Sequence, residues 1–158
     1  MARVWFKGLP LAPAPVTMAL GDARLVLERE APQAYDLLAV DAFSSDSIPL
    51  HLLTREAFDQ YARHLRPGGL LAVHISNRYL DLRPVLAAEA AAGGWRTVLV
   101  EDSAEDEDEG VYSSDWVLLS RGPGTWGPKV SAVSKPLPGP GKVRRWTDDY
   151  SNLYRILK

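Results

Sequence analysis

YDLLAVDAFSSDSIP, residues 35–49, decides the fold. Residues 37–40 are a continuous apolar run, and Asp41 ends it with a carboxylate. A small polar loop, Ala42-Phe43-Ser44-Ser45, leads to a second carboxylate, Asp46, and to a stop at Pro49. A short apolar run bounded by turn residues predicts a buried parallel strand. In open α/β sheets the ligand crevice lies just outside the carboxyl ends of the strands. The spacing therefore predicts Asp41 at the mouth of a crevice and Asp46 one loop further on.

Working outward, residues 16–20 are apolar enough for a short strand, and Gly21-Asp22 turns the chain into a helix over 23–29. Asp22 suits the N-cap, because its carboxylate can accept free amide hydrogens of the first turn. After Pro49, Leu53, Ala57, Phe58, Tyr61 and Leu65 recur at helical spacing, which predicts a helix over 52–65 stopped by Pro67-Gly68-Gly69. Residues 70–75 read as the next buried strand, leading into His74-Ile75-Ser76-Asn77. Asp81 caps an alanine-rich helix that tolerates Pro84 in its first turn and ends at Gly93-Gly94. Strands follow over 95–100 and 115–120, with an acidic loop over 101–110 between them. Alternating strands and helices predict an α/β parallel sheet wound with helices, with an antiparallel strand at an edge. Four stretches result: an irregular N-terminal segment over 1–15, the domain over 16–120, a Gly/Pro-rich linker over 121–142, and a tail over 143–158 that docks back.

Composition narrows the function classes. A chain of 158 residues, 46% hydrophobic and 24% charged, fits one globular domain. A net charge of −2 without a basic stripe argues against nucleic acid. There is no cysteine, so disulfides and thiolate metal sites are excluded. His51, His64 and His74 lack zinc-motif spacing, and no metal site is expected. No apolar stretch approaches the roughly 18 residues of a membrane span, and the proline-broken start does not read as a signal peptide. A cytoplasmic protein without a membrane segment in this chain is the expectation.

Four stretches, Gly21-Asp22-Ala23-Arg24, YDLLAVDAFSSDSIP, RPGGLLAVHISN and WTDDYSN, together resemble a spermidine synthase-like domain, in the bacterial form often fused to a membrane transporter. The resemblance runs over about 16–120 and resumes at 146–157. It implies the Rossmann-like fold of class I methyltransferases. It also implies transfer of an aminopropyl group from decarboxylated S-adenosylmethionine, a co-substrate and not a tightly bound cofactor, to a polyamine such as putrescine. By the same resemblance Asp41 matches the first aspartate of the family's Asp-Ser-Ser-Asp loop, the proposed base. Asp46 stands for the second, which holds a substrate amine, although the loop here is two residues longer. Asp22 and Ala23 match the turn that contacts the adenine. The family's glycine-rich donor-binding turn and its acidic strand end are not found, because residues 16–20 align with the third strand. The fold is thus expected to be incomplete, with its first two strands missing. A fragment of a longer product, a homo-oligomer, an upstream chain or the N-terminal segment would account for the gap.

Each candidate has a plainer alternative. Asp41 can cap the segment after it and Asp46 can shape a turn. Asp22 can be a helix cap alone. His74, Ser76 and Asn77 end a strand on the side of Asp41, where His74 can be a satisfied, partly buried histidine. The acidic loop can be solvated surface. Asp148 and Asp149 can approach the site or cap a last helical turn. Three functions follow: a polyamine aminopropyltransferase-like domain, a non-catalytic remnant or subunit of that fold, and a small-molecule methyltransferase dependent on S-adenosylmethionine.

Overall fold

The computed structural model of the protein describes residues 14–41, 49–103, 113–122 and 126–158. Its elements are α1 (Ala23–Arg29), β1 (Tyr35–Val40), a 3-10 turn (Leu50–Leu52), α2 (Arg55–His64), β2 (Leu65–His74), α3 (Arg83–Gly93), β3 (Arg96–Asp102), β4 (Ser114–Ser120), α4 (Pro128–Val133), β5 (Ser134–Lys135) and a second 3-10 turn (Leu153–Arg155). They form a five-stranded α/β sheet in the order β1-β2-β4-β3-β5. β1 and β2 are parallel, and the other pairings are antiparallel. β4 runs against both neighbours, so β1, β2 and β3 point the same way, as the alternation with helices requires. An antiparallel strand does stand at one edge, the short β5, and a second, β4, lies inside the sheet, where Val117 and Leu119 are fully buried.

Local chemistry explains the helices. The Asp22 carboxylate accepts the Leu25 amide at 3.0 Å and caps α1. α2 buries Ala57, Phe58, Tyr61 and His64, one stripe at three- and four-residue spacing. Phe58 meets Tyr61 and Trp95 edge-on, and the Tyr61 hydroxyl donates to Leu52 O at 3.0 Å. Burying a side chain of this size contributes about 1.5–3 kcal/mol. α3 ends at Gly94, whose φ of 68° is the left-handed conformation that terminates helices.

Several expectations change. Residues 16–20 form no strand and are exposed throughout, Leu20 at 90%. A strand forms where a neighbour satisfies its backbone, and among the described residues none pairs with this segment. α2 stops at His64, and Pro67-Gly68-Gly69 belongs to β2 instead of a helix stop. A Cβ on Gly69 would sit 2.8 Å from Tyr35 O, so only glycine lets β1 approach there. The sheet register shifts between Tyr35 and Leu37, beside that contact. The stretch over 121–142 contributes α4 and β5, and β5 pairs with β3.

The strand over 37–40 is parallel as expected but sits at the edge. Residues 37–40 and 70–73 are both Leu-Leu-Ala-Val, and they pair rung by rung from Leu37–Leu70 to Val40–Val73. Leu71 and Val73 are fully buried, whereas Leu37 is 55% exposed.

The tail docks across the ends of α2 and α3. Trp146 and Ile156 are buried. Arg55 N donates to Trp146 O at 2.9 Å, and Asp81 N donates to Ile156 O at 2.7 Å. Arg145 binds Glu89 through two hydrogen bonds, of 2.5 and 2.7 Å. Glu89 is almost fully buried, so this pair must stay intact, because an unpartnered buried charge costs several kcal/mol.

Candidate functional site

The register of the sheet builds the site. Each Leu-Leu-Ala-Val run is followed by a polar residue, Asp41 after β1 and His74 at the end of β2. Parallel pairing brings the two together on the next rung, with Asp41 Oδ1 2.8 Å from His74 Nδ1. On its other side His74 Nε2 lies 2.8 Å from Ser76 Oγ. Ser76 Oγ accepts the Asp115 backbone N–H at 2.7 Å. The imidazole stacks on Trp116 with centroids 4.9 Å apart and planes 28° from parallel. Because β4 is antiparallel, its beginning, with Asp115 and Trp116, meets the end of β2. The Asp41 side chain is 57% exposed and that of His74 20%. A carboxylate therefore opens to solvent while the histidine behind it is held on three sides.

A second cluster gathers around Asp22, at the start of α1. α1 leads into β1, so its first turn lies toward the rim where β1 ends. Asp22 Oδ2 lies 2.8 Å from His51 Nε2, while Oδ1 takes the Leu25 amide. That amide holds the Asp22 carboxyl below the usual carboxylate range, with His51 adding to the effect. Arg24 reaches the tail through two bonds of 2.6 Å to Asp148, which also accepts from Thr54 Oγ1 at 2.8 Å. The Arg24 guanidinium, hydrogen-bonded to Asp148, holds that carboxyl down at about 2. A cavity of about 590 Å³ lies here, lined by Asp22, Arg24, His51, Thr54 and Asp148 among others.

Ala23 lines a different opening. This groove, of about 850 Å³, lies between residues of the 15–21 segment, α1 and β1, with Val26, Leu27, Tyr35 and Leu38 on its walls. Asp46 falls in 42–48, outside the described residues. Asp41 and His74 thus share one cluster, whereas Asp22 belongs to another with His51 and Asp148. Of the two alternatives for Asp148, the structure has it bound to Arg24 and Thr54 beside Asp22. The contributions of Asp115 and Trp116 were not legible beforehand, because an antiparallel strand from forty residues away supplies them. The only advance signal was the spacing of His74 and Ser76, two residues apart at a strand end.

No model of a protein family matches the sequence, and no curated protein matches it. The chain is similar in structure to a probable spermidine synthase from Corynebacterium glutamicum ATCC 13032, with a TM-score of 0.59 at 20% identity. The match covers 85% of this chain and 55% of that one, so the chain spans about half the length of its solved neighbour. This likeness shows the fold, a Rossmann-like α/β sheet of the methyltransferase type seen in that protein. Among the described residues no helix is long and apolar enough to cross a membrane.

Proposed function

We propose that the chain carries the amine-binding half of a spermidine synthase-like site, with Asp41 as the carboxylate that meets a polyamine such as putrescine. The observation that carries this reading is the placement of Asp41, an exposed carboxylate at the carboxyl end of β1 with one oxygen held by His74. An ammonium ion is not a nucleophile. A carboxylate beside it can take its proton and stabilise the positive charge that develops as the amine attacks. In aminopropyl transfer the amine nitrogen forms a bond to the aminopropyl carbon. The bond from that carbon to the sulfonium sulfur breaks, and the sulfur leaves as a neutral thioether. The one proton released is the one that Asp41 takes from the attacking ammonium, and the new secondary amine keeps the positive charge that the sulfur loses. Asp46 is proposed to hold the second charge of the diamine, and Asp22 and Ala23 to meet the adenine of decarboxylated S-adenosylmethionine. A soluble polyamine site of this kind needs no metal and no nucleic acid.

Calorimetric titration of the full chain with putrescine tests the reading. Asp41→Asn keeps the size of the side chain and removes the charge, and should weaken binding about tenfold or more. Where turnover with decarboxylated S-adenosylmethionine is measurable, the same change should lower it by roughly 10²–10⁴-fold. A folded Asp41→Asn protein with unchanged putrescine affinity and turnover would remove the central claim.

One observation favours the second reading, a non-catalytic member of the fold. Both Asp22 oxygens are already engaged, one by the Leu25 amide and one by His51. On that reading S-adenosyl ligands bind weakly, because one adenine contact does not offset the entropy of association. Micromolar binding of an S-adenosyl ligand to the chain would exclude it.

A further inference from the structure

Asp41 does not stand alone. The hydrogen bonds behind it form a chain whose direction is set by the Asp41 carboxylate, which only accepts, and which the far end can match. The Asp115 backbone amide can only donate, so Ser76 Oγ must accept there, at 2.7 Å. A serine hydroxyl has one proton to give, and His74 Nε2 lies 2.8 Å from the same oxygen. When that proton goes to Nε2, a neutral imidazole carries its own hydrogen on Nδ1. Nδ1 faces Asp41 Oδ1 at 2.8 Å. The opposite tautomer would point a nitrogen lone pair at a carboxylate lone pair across the same distance. The stack on Trp116 restrains the ring from turning out of this arrangement. Every link is short and each donor finds an acceptor, from a β4 amide through β2 to the end of β1.

We propose that His74 is the positioning residue for Asp41, held by Ser76 and Trp116 as the neutral Nδ1–H tautomer. It fixes Oδ1 and so turns the other carboxylate oxygen, Oδ2, outward for a cation. This inference rests on reading Asp41 as the amine-binding carboxylate. Its physical content is orientation. A carboxylate on an exposed strand end rotates freely, and one that must meet an ammonium gains from being held in advance. A protonated imidazole would instead pair its full positive charge with Asp41 and compete with the ammonium for it. The neutral tautomer therefore suits an amine site, and Ser76 favours that tautomer by offering a donor to Nε2.

The test uses the full chain labelled with ¹⁵N in its histidines. Long-range proton–nitrogen NMR reads the tautomer of His74 directly, at a pH well above the ordinary histidine value of about 6.5. The expected result is a dominant Nδ1–H form in the wild type and a mixture of tautomers in Ser76→Ala. A dominant Nε2–H form in the wild type overturns the proposal whether or not any amine binds. A second readout is putrescine affinity. His74→Leu should weaken it about tenfold, while His74→Asn, whose amide can donate to Asp41 from near the position of Nδ1, should recover most of the loss. Should His74→Leu fail to fold, Ser76→Ala carries the affinity test, with a smaller loss expected. Equal affinity in wild type, Ser76→Ala and, where it folds, His74→Leu, together with an unchanged tautomer in Ser76→Ala, would also sink it. If the wild type binds no putrescine while the Nδ1–H tautomer is present and Ser76-dependent, the polyamine reading fails and the positioning of Asp41 stands.

Discussion

The same four residues, Leu-Leu-Ala-Val, occur at 37–40 and 70–73 and lie side by side in register. In β2 three of them are core, with Leu71 and Val73 fully buried and Ala72 at 8%, while Leu70 is half-buried. In β1 Leu37 and Ala39 are exposed, Leu38 is half-buried, and only Val40 is buried. Hydrophobicity, β propensity and strand direction are identical, so none of them explains the difference. The number of neighbours does. β2 is paired on both edges, by β1 and β4, and α2 packs against it. β1 is paired on one edge among the described residues, and its other edge faces the groove beside α1. Apolar sequence drives burial only where the fold supplies something to be buried against.

The largest expected effect sharpens this comparison within one rung. Leu71→Ala should destabilise the protein by about 2–5 kcal/mol, because it opens a cavity in a close-packed core. Its partner Leu38→Ala should cost about 1 kcal/mol, since a half-buried site loses less area and solvent fills the space. Urea unfolding of the two variants checks this, and equal midpoints would show that β1 is as well covered as β2.

A middle effect concerns what covers the β1 side. α1 is tied to the tail by Arg24 and Asp148, a polar and partly exposed contact. The Asp148 carboxyl is held at about 2 in the folded chain by the Arg24 hydrogen bonds, below its ordinary 3.8. A group with a depressed folded value stabilises the fold above the ordinary value, and that contribution is lost as pH falls through the folded one. Between about pH 4 and pH 2 the tie should therefore weaken, and amides of α1 and β1 should lose hydrogen-exchange protection before those of β2. In Asp148→Asn that early loss at β1 should already be present at neutral pH. Simultaneous loss in both strands would break the distinction.

The smallest expected effect is at Leu37. Leu37→Lys should change stability by no more than about 0.5 kcal/mol, because the side chain already lies mostly in water. A cost as large as that of Leu71→Ala would show the outer face of β1 to be covered in solution, by a second copy or by another segment.

Much of the architecture was open to reading from residues alone, for reasons that are local. The helix over 23–29 with its Asp22 cap, the stripe of Ala57, Phe58 and Tyr61, and the Gly93-Gly94 stop depend on contacts within a turn or two of chain. The position of Asp41 at a strand end is local as well, since an apolar run closed by a carboxylate and a polar loop marks where a strand stops. The resemblance to spermidine synthase-like domains rested on the same short stretches, and the structural likeness supports it at the level of the fold.

Only the tertiary structure decided the rest, because strand pairing is non-local and carries no mark in the strands themselves. Nothing in residues 114–120 says that they insert between β2 and β3, yet this brings Asp115 and Trp116 to His74. Nothing in residues 16–20 forbids a strand, and they remain without one because no partner pairs with them among the described residues. A stretch rich in glycine and proline yielded β5 because the edge of β3 was there to pair with it. Asp41 was legible by itself, whereas its partnership with His74 was not. That contact joins residues thirty-three positions apart, and a backbone register, which no single strand encodes, sets the distance between them.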